Sequence, residues 1–211
     1  MREAPLTLET TGDILHLVLN DPPRNTMNRR FFDALGRIVS SELPGIEADG
    51  MVVHGRDRHF SSGADLEELT TGLRQTGTTA PTEAMEALRR STMDMQALSA
   101  LPFPVVAAVS GCCFGSALEL AMACHYRIAA SNAVLASPES TFGLMPGCGQ
   151  TVRLPRAVGV GPAIELILSG RSLPAEQARQ LGMVDRVVDK ADLLRVAEEM
   201  VRALNRVGGR R

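Results

Sequence analysis

Apolar and polar residues alternate in two short runs near the start of the chain, residues 6–8 and 14–19, on either side of Thr11-Gly12-Asp13. A period of two with turn residues in between predicts an antiparallel β-hairpin. After Asn28, which is a good helix N-cap, the apolar spacing changes to three and four residues. The start of the chain is therefore expected to form two strands followed by an amphipathic helix.

Beyond residue 50, short apolar runs alternate with helical periods. The runs predict strands at residues 51–53, 105–109, 126–129, 133–135 and 183–188. The helical periods predict helices at residues 85–98, 116–124, 164–168, 175–181 and 191–204. Such alternation is typical of an α/β layer fold with largely parallel strand pairing. The Thr- and Gly-rich stretch at residues 70–81 is expected to be the most mobile segment.

One apolar run, residues 103–124, is about long enough to span a bilayer. Pro104, the Ser110-Gly111 pair and Glu119 interrupt it, so a buried strand, a turn and a buried helix explain it better. The first ten residues contain no apolar signal-peptide core. We therefore expect a protein that is not inserted in a membrane.

The composition excludes several classes of function. With 211 residues the chain suits one domain, and its formal net charge of −2 provides no basic field for nucleic-acid binding. The four cysteines lack CxxC spacing, and the four histidines are scattered without metal-ligand spacing. We expect a cytoplasmic protein without a metal site.

Gly and small residues fill two turns that join a predicted strand to a predicted helix, at residues 60–66 and 111–120. Small residues let a ligand approach the main chain closely, and the first N–H groups of a helix have no intrahelical partner. Two such N–H groups that converge on one oxygen form an oxyanion hole. Similar turns also occur in α/β proteins that use them only to reverse the chain, so both interpretations remain open.

Two glutamates follow these turns. Glu119 lies one helical turn after Ser116, where its charge suits the helix dipole. Its neighbours are apolar, however, and a carboxylate among them costs free energy unless it is paired, hydrated or used in the chemistry. Glu139 follows Ser137-Pro138, an N-cap and first-residue pair that predicts a helix start. Two carboxylates flanking one water would permit acid–base steps on a C=C bond. The sequence spacing does not show whether they meet.

In this order, these motifs resemble those of the crotonase (enoyl-CoA hydratase/isomerase) superfamily from about residue 17 to residue 201. The resemblance is carried by segments at residues 19–28, 60–66 (FSSGADL), 107–111, 119–121, 137–139 (SPE), 143–149 (GLMPGCG), 151–154, 170–171, 175–178 and 181–188. It implies an α/β ClpP/crotonase fold, in which ββα units repeat in a spiral. The expected division is a core at residues 1–190 and a short C-terminal helix and tail at residues 191–211. Typical members continue with further helices, so the C-terminal helical region is expected to be truncated.

The resemblance also implies roles for individual residues. The main-chain N–H groups of Ala64 and Ser116 match the oxyanion hole for a thioester oxygen, although the family usually has Gly at the second position. Glu119 and Glu139 match the two glutamates with which the hydratase subgroup holds and activates water. The residues expected to line the substrate or CoA site are Arg24, Ser62, Gly63, Asp65, Leu66, Gly115, Phe142 and Gly147. Arg24, like the pair Arg56 and Arg58, is equally well interpreted as solvated surface.

The activity that the resemblance implies is hydration of a 2-enoyl-CoA thioester, or the reverse dehydration, with coenzyme A as part of the substrate and no other cofactor. Two alternatives remain open. One is an enoyl-CoA isomerase, and the other is a non-catalytic accessory subunit of another acyl-CoA or polyketide enzyme. The expected assembly is a homo-oligomer, a trimer or hexamer, or a complex with a partner enzyme.

Overall fold

The computed structural model describes residues 3–68, 70, 71 and 81–208. The strands are β1 Leu6–Thr11, β2 Ile14–Leu19, β3 Gly50–Gly55, β4 Val105–Val109, β5 Cys112–Phe114, β6 Tyr126–Ala130, β7 Val134–Ala136, β8 Leu173–Pro174 and β9 Arg186–Val188. The α-helices with defined bounds are α1 Arg29–Arg37, α2 Pro81–Leu98, α3 Ser116–Ala123, α4 Gln150–Val158, α5 Val160–Ser169, α6 Ala175–Gln180 and α7 Leu193–Gly208. The stretch predicted to be mobile, residues 70–81, lies largely outside the described residues.

The larger of two sheets has six strands in the order β1-β2-β3-β4-β6-β9. The hairpin predicted at the start of the chain is confirmed, since β1 and β2 are antiparallel with Leu6 opposite Leu19. The pairs from β2 onward are parallel. The predicted helix cap is confirmed as well, because Asn28 Oδ1 accepts a hydrogen bond from Phe31 N at 3.1 Å.

Both faces of this sheet are covered, which explains why its inner strands are largely apolar, with His16 and His54 among the exceptions. The main core lies on one face and includes α1 and α3. On the other face α7 presents apolar residues at helical spacing to the sheet, namely Leu193, Val196, Ala197 and Val201. They pack against Ile14, Val52, Val106 and Ile128. The predicted terminal helix therefore packs across the middle of that face, over β3, β4 and β6.

The second sheet is small, with the strand order β5-β7-β8. The chain passes twice from the large sheet to the small sheet and then to a helical segment: β4 leads to β5 and α3, and β6 leads to β7 and a 3-10 helix at Glu139–Phe142. The segment after β3 repeats this path, because Ser61 forms a parallel bridge with Cys113 before the chain becomes helical at residue 66. These three turns are the ββα spiral that the family resemblance implies.

Two elements differ from the expectation. Residues 112–114, expected to belong to a turn, form strand β5. Helix α4 was not expected, because Gly149 precedes it and Pro155 lies inside it, and both residues disfavour helices. Burial of Gln150 and Leu154 on its inner side shows that tertiary packing outweighs this poor local propensity. Within the described ranges, no helix is both long and apolar enough to cross a membrane.

Candidate active site

The spiral brings three segments of the chain side by side. Ser61 pairs in parallel with Cys113, and Cys113 pairs in parallel with Leu135. Because parallel segments leave a sheet at the same edge, the residues that follow these three positions are neighbours. Ala64 and Ser116 each lie three residues further along, and Glu139 lies four residues beyond Leu135. The register of the small sheet therefore places three of the predicted site residues at one edge.

The loops that carry Ala64 and Ser116 are in main-chain contact. Ser61 N donates to Cys112 O at 3.0 Å, and Phe114 N donates to Ser61 O at 3.3 Å. Gly63 has φ +88°, and a Cβ there would clash with the Phe114 carbonyl oxygen and lie 3.6 Å from Ser116 N. Only glycine fits both this conformation and this close approach. The predicted residue Gly63 therefore has a clear structural role, which is to let the two loops touch.

The Ala64 and Ser116 amides are available to a ligand. The bridge between Met27 and Ala64 uses Met27 N, which donates to Gly63 O, and Asp65 N, which donates to Met27 O, so it leaves the Ala64 N–H unused. Ser116 is the first residue of α3, and its N–H precedes the intrahelical bonds. Across the residues that the structure describes, neither N–H donates to a protein acceptor. Two main-chain donors on touching loops are the components of an oxyanion hole.

Glu119 is almost completely buried, with 1% of its surface exposed. Its Oε1 accepts hydrogen bonds from Cys148 N at 2.6 Å and from Gln150 N at 3.3 Å. Burial raises the pKa of Glu119 to about 7, against the lowering effect of these two hydrogen bonds, and the nearby charge of Glu139 raises it further. Glu119 is thus a carboxyl group that titrates near neutral pH.

Glu139 lies beside the start of α3. Its Oε1 is 3.1 Å from the point that a Cβ on Gly115 would occupy, and Gly115 directly precedes Ser116. Among the described residues, Glu139 Oε2 is buried and has no hydrogen-bond partner. Burial raises the pKa of Glu139 as well. The structure therefore brings both glutamates and the Ser116 amide into one region, as the family resemblance implies.

The expected role of Ser137 is corrected. The sequence predicts that Ser137 caps a helix that begins at Pro138, but the helical turn is a 3-10 helix that begins at Glu139 and has no side-chain cap. Ser137 Oγ instead accepts a hydrogen bond from Gln150 Nε2. Ser137 is buried, and a buried hydroxyl is stabilised by a specific partner more than by a solvent-facing helix end.

Five of the residues expected near CoA, Arg24 among them, belong to the loop at residues 62–66 or touch it. Ser62 N donates to Arg24 O at 2.9 Å, which holds Arg24 beside the loop while its side chain is exposed. Asp65 Oδ1 accepts from Glu67 N and Glu68 N, both at 3.0 Å, so this oxygen caps the next helical turn, while Asp65 N donates to Met27 O. Leu66 is exposed.

The other expected residues are more widely placed. Gly115 has φ +54° and lies between the two catalytic candidates Ser116 and Glu139, whereas Phe142 is exposed at the end of the 3-10 helix. Gly147 O accepts a hydrogen bond from Thr92 Oγ1 of α2 at 3.2 Å. Arg56 pairs with Glu9, which leaves it a poorer candidate than Arg24 for a phosphate partner. In the part of the chain that is described, no three His, Cys, Asp or Glu side chains are placed to hold a metal ion.

Sequence reasoning missed the segment that holds Glu119. The Cys148 and Gln150 amides both point at one oxygen of this carboxylate. Gly149 lies between them with φ +98°, a left-handed conformation that aims two nearby N–H groups at the same atom. The glycines at 147 and 149 indicate a tight loop in the sequence. The carboxylate that the loop binds, Glu119, lies about thirty residues earlier, so no local sequence pattern connects the two.

Glu119→Gln should make the protein's stability less dependent on pH. Below the unfolded-state pKa near 4.5, the Glu119 carboxyl is protonated in both states, and between 4.5 and about 7 only the unfolded state loses the proton. The free energy of unfolding therefore falls as pH rises through this window, by about 2–3 kcal/mol in total. A glutamine side chain does not titrate in this range, so the variant does not lose this stability. Its free energy of unfolding relative to that of the wild type should therefore rise by that amount between pH 4.5 and pH 8. Denaturant unfolding at both pH values measures the difference, and a pH-independent difference would refute the buried, titrating Glu119.

The comparisons with known proteins identify the family of the chain. The chain matches the family model described as enoyl-CoA hydratase/isomerase over residues 9–209. It is 33% identical to a Thermobifida fusca YX protein solved in complex with CoA, over 95% of this chain and 78% of that one, with a TM-score of 0.85. It is 32% identical to Pseudomonas aeruginosa DspI over 97% of this chain and 76% of that one, also with a TM-score of 0.85.

A third similar structure is the enoyl-CoA hydratase of Thermoplasma volcanium GSS1. The identity is 30%, the match covers 98% of this chain and 82% of that chain, and the TM-score is 0.85. The family match spans nearly the whole described fold, and the spiral of ββα turns is shared with these structures. The chain therefore belongs to the enoyl-CoA hydratase/isomerase family and has the crotonase fold.

Proposed function

We propose that this protein is an enoyl-CoA hydratase, which adds water across the double bond of a 2-enoyl-CoA thioester or removes it in the reverse direction. The observation that carries the proposal is the placement of two carboxyl groups, the buried Glu119 and the half-buried Glu139, beside the unused Ser116 amide. A single carboxyl group is enough to move a proton along a substrate, whereas two are suited to activate a water and protonate the product.

The main-chain donors would act on the thioester. As water attacks the β-carbon, negative charge develops on the thioester oxygen, and the Ala64 and Ser116 N–H groups stabilise that charge. Donors that are already fixed in place need no reorganisation when the charge appears. Both N–H groups are fixed here, Ala64 by the Met27 bridge and Ser116 by the first turn of α3.

The two glutamates would divide the proton transfers. Burial raises the pKa of both carboxyl groups, and the charge of Glu139 adds to the raised pKa of Glu119, so both groups hold a proton more firmly than exposed carboxyls do. The reaction needs one of them ionised and the other protonated. The ionised carboxylate takes a proton from the attacking water, and the protonated carboxyl delivers one to the α-carbon. The net result is addition of H and OH across the double bond, with no redox change and no metal required.

The CoA part of the substrate would bind along the loop at residues 62–66. This loop presents exposed main chain next to the Ala64 amide, and the exposed Arg24 side chain lies beside it. A guanidinium group is well suited to pair with phosphate. The CoA complex of the Thermobifida fusca relative supports the same class of ligand for this chain. The four cysteines, none of which is in a disulfide, fit a reducing, cytoplasmic location.

Purified protein mixed with crotonyl-CoA tests the proposal. Hydration removes the conjugation between the double bond and the thioester, so the absorbance of the enoyl thioester should fall, and the product should carry a β-hydroxyl group by mass spectrometry. Migration of the double bond in a 3-enoyl-CoA without a gain of water would indicate an isomerase instead. Loss of neither substrate, over a range of chain lengths, would support the accessory-subunit alternative and refute the hydratase.

We also propose that copies of the chain associate through one apolar face. Six large apolar side chains on or beside the 3-10 helix, α4 and α5 are each more than half exposed: Phe142, Met145, Val152, Val160, Ile164 and Leu168. A cluster of this kind is typical of an interaction surface. Light scattering should therefore show a trimer or hexamer. The double variant Ile164→Glu, Leu168→Glu should give a lower molar mass, because the assembly should dissociate. A wild-type monomer would contradict this and favour a partner enzyme.

A further inference from the structure

Gln150 is a buried polar residue that the proposed chemistry does not use. It is the first residue of α4, its surface is 0% exposed, and its side chain reaches across to the segment that carries Glu139. A glutamine in such a position costs free energy unless its amide is hydrogen-bonded. Its contacts therefore indicate what the residue does.

Gln150 contacts both glutamate-bearing segments at once. Its main-chain N–H donates to Glu119 Oε1 at 3.3 Å. Its side-chain Nε2 donates to Ser137 Oγ, and Ser137 lies two residues before Glu139. A path of two hydrogen bonds and a short piece of chain thus connects one carboxylate to the other.

Little holds the Glu139 carboxylate itself in place, although its helical turn is anchored to α5 by Ser140 Oγ, which donates to Leu168 O at 3.2 Å. Among the described residues, its Oε2 has no hydrogen-bond partner, and the 3-10 helix that it begins has no side-chain cap. Gln150 Oε1 is buried without a partner in the same part of the chain, so the amide makes one side-chain hydrogen bond there, to Ser137. Within the ranges that the structure describes, the Gln150–Ser137 bond is therefore the one side-chain hydrogen bond between the Glu139 turn and the loop that holds Glu119.

We propose that Gln150 is a positioning residue, which sets the separation of Glu119 and Glu139 by tying Ser137 to the start of α4. This rests on the proposed hydratase function, because the separation matters most when both carboxylates act on one water. Misplacement of a reacting group by about 1 Å lowers a rate by about 100-fold. Gln150 needs no contact with the substrate to have this effect.

The test compares Gln150→Met, Ser137→Ala and the double variant. Each single variant leaves one buried polar partner unsatisfied and should lower the melting temperature, whereas the double variant replaces both partners by apolar groups and should recover much of it. The positioning role predicts that kcat for crotonyl-CoA falls about 10–100-fold in all three, with KM within about twofold. Ser137→Thr keeps the hydroxyl and should retain the wild-type kcat.

Recovery of kcat together with stability in the double variant would overturn the proposal, because it would show that the bond serves only the fold. An unchanged kcat in Gln150→Met would overturn it as well. If the two single variants lose kcat unequally and the losses multiply in the double variant, the two residues act independently. That result would also overturn the proposal, because a shared bond can be lost only once.

A second measurement does not depend on turnover. Carbon-13 NMR titration, with signals assigned from Glu→Gln variants, follows the two carboxyl groups directly. Loosening the tie should admit water and lower the raised pKa of Glu119 by about half a unit or more. The charges that also face this carboxyl, Arg153 and Glu139, are the same in all the variants. An inactive wild type would defeat the proposed function alone, whereas an unchanged titration in Gln150→Met would defeat the positioning role.

Discussion

Glu139→Gln and Glu119→Gln should each lower kcat for the hydration of crotonyl-CoA by about 10²–10⁴-fold, the usual contribution of a positioned acid or base. Gln has nearly the shape of Glu and can still accept a hydrogen bond, so the Cys148 and Gln150 amides would keep a partner in the Glu119 variant. Only the ability to exchange a proton is lost. KM should change little, because the CoA contacts proposed for residues 62–66 are untouched.

The matched control is Glu176→Gln. Glu176 forms an exposed ion pair with Arg179 on α6 and has no place in the proposed mechanism. Its replacement should leave kcat at the wild-type value, since exposed pairs contribute little even to stability. The double variant of Glu119 and Glu139 should be about as slow as the slower single variant, because the two groups act as a unit. Wild-type rates in either single variant would refute the roles assigned here.

Ser116→Pro should lower kcat by about 10²–10³-fold, the cost of losing one oxyanion-hole donor. The substitution removes the N–H group, which has no protein acceptor among the described residues, together with the Ser116 hydroxyl. Proline is well tolerated at the first position of a helix, which is where Ser116 lies, so the fold should survive. The circular dichroism spectrum and the melting temperature check this directly.

Ser116→Ala is the control for this variant, since it keeps the N–H and removes the hydroxyl. If the amide is the functional group, Ser116→Ala should retain nearly all of the wild-type activity, and Ser116→Pro should lose it in a folded protein. The opposite ranking, with the alanine variant inactive and the proline variant active, would show that the hydroxyl is the group that matters.

Local patterns were enough to predict the elements in which each residue follows a clear period. The β1–β2 hairpin, the Asn28 cap and the buried strand β4 are each visible in one short continuous stretch of the sequence. Glu119 also stood out locally, because a carboxylate among apolar residues needs a reason to be there. The structure supplies that reason in the two amides of the α4 loop.

What could not be predicted depends on distant parts of the chain. The pairing of Ser61 with Cys113, and of Cys113 with Leu135, joins segments that are more than twenty residues apart and sets which residues meet at the site. A glutamine at a helix start looks like an exposed polar residue, so nothing in the sequence marked Gln150 as buried. Glu139 was only a possible partner of Glu119 in the sequence, since its position is explained equally well by a helix start, and its role came from the family resemblance.

The most direct measurement is a crystal structure of the Glu119→Gln variant with crotonyl-CoA bound. The account predicts that the thioester oxygen lies about 2.7–3.1 Å from both Ala64 N and Ser116 N, the range for an oxyanion-hole donor. The β-carbon should then face the space between residues 119 and 139. An ordered complex in which the oxygen contacts neither amide would contradict the account.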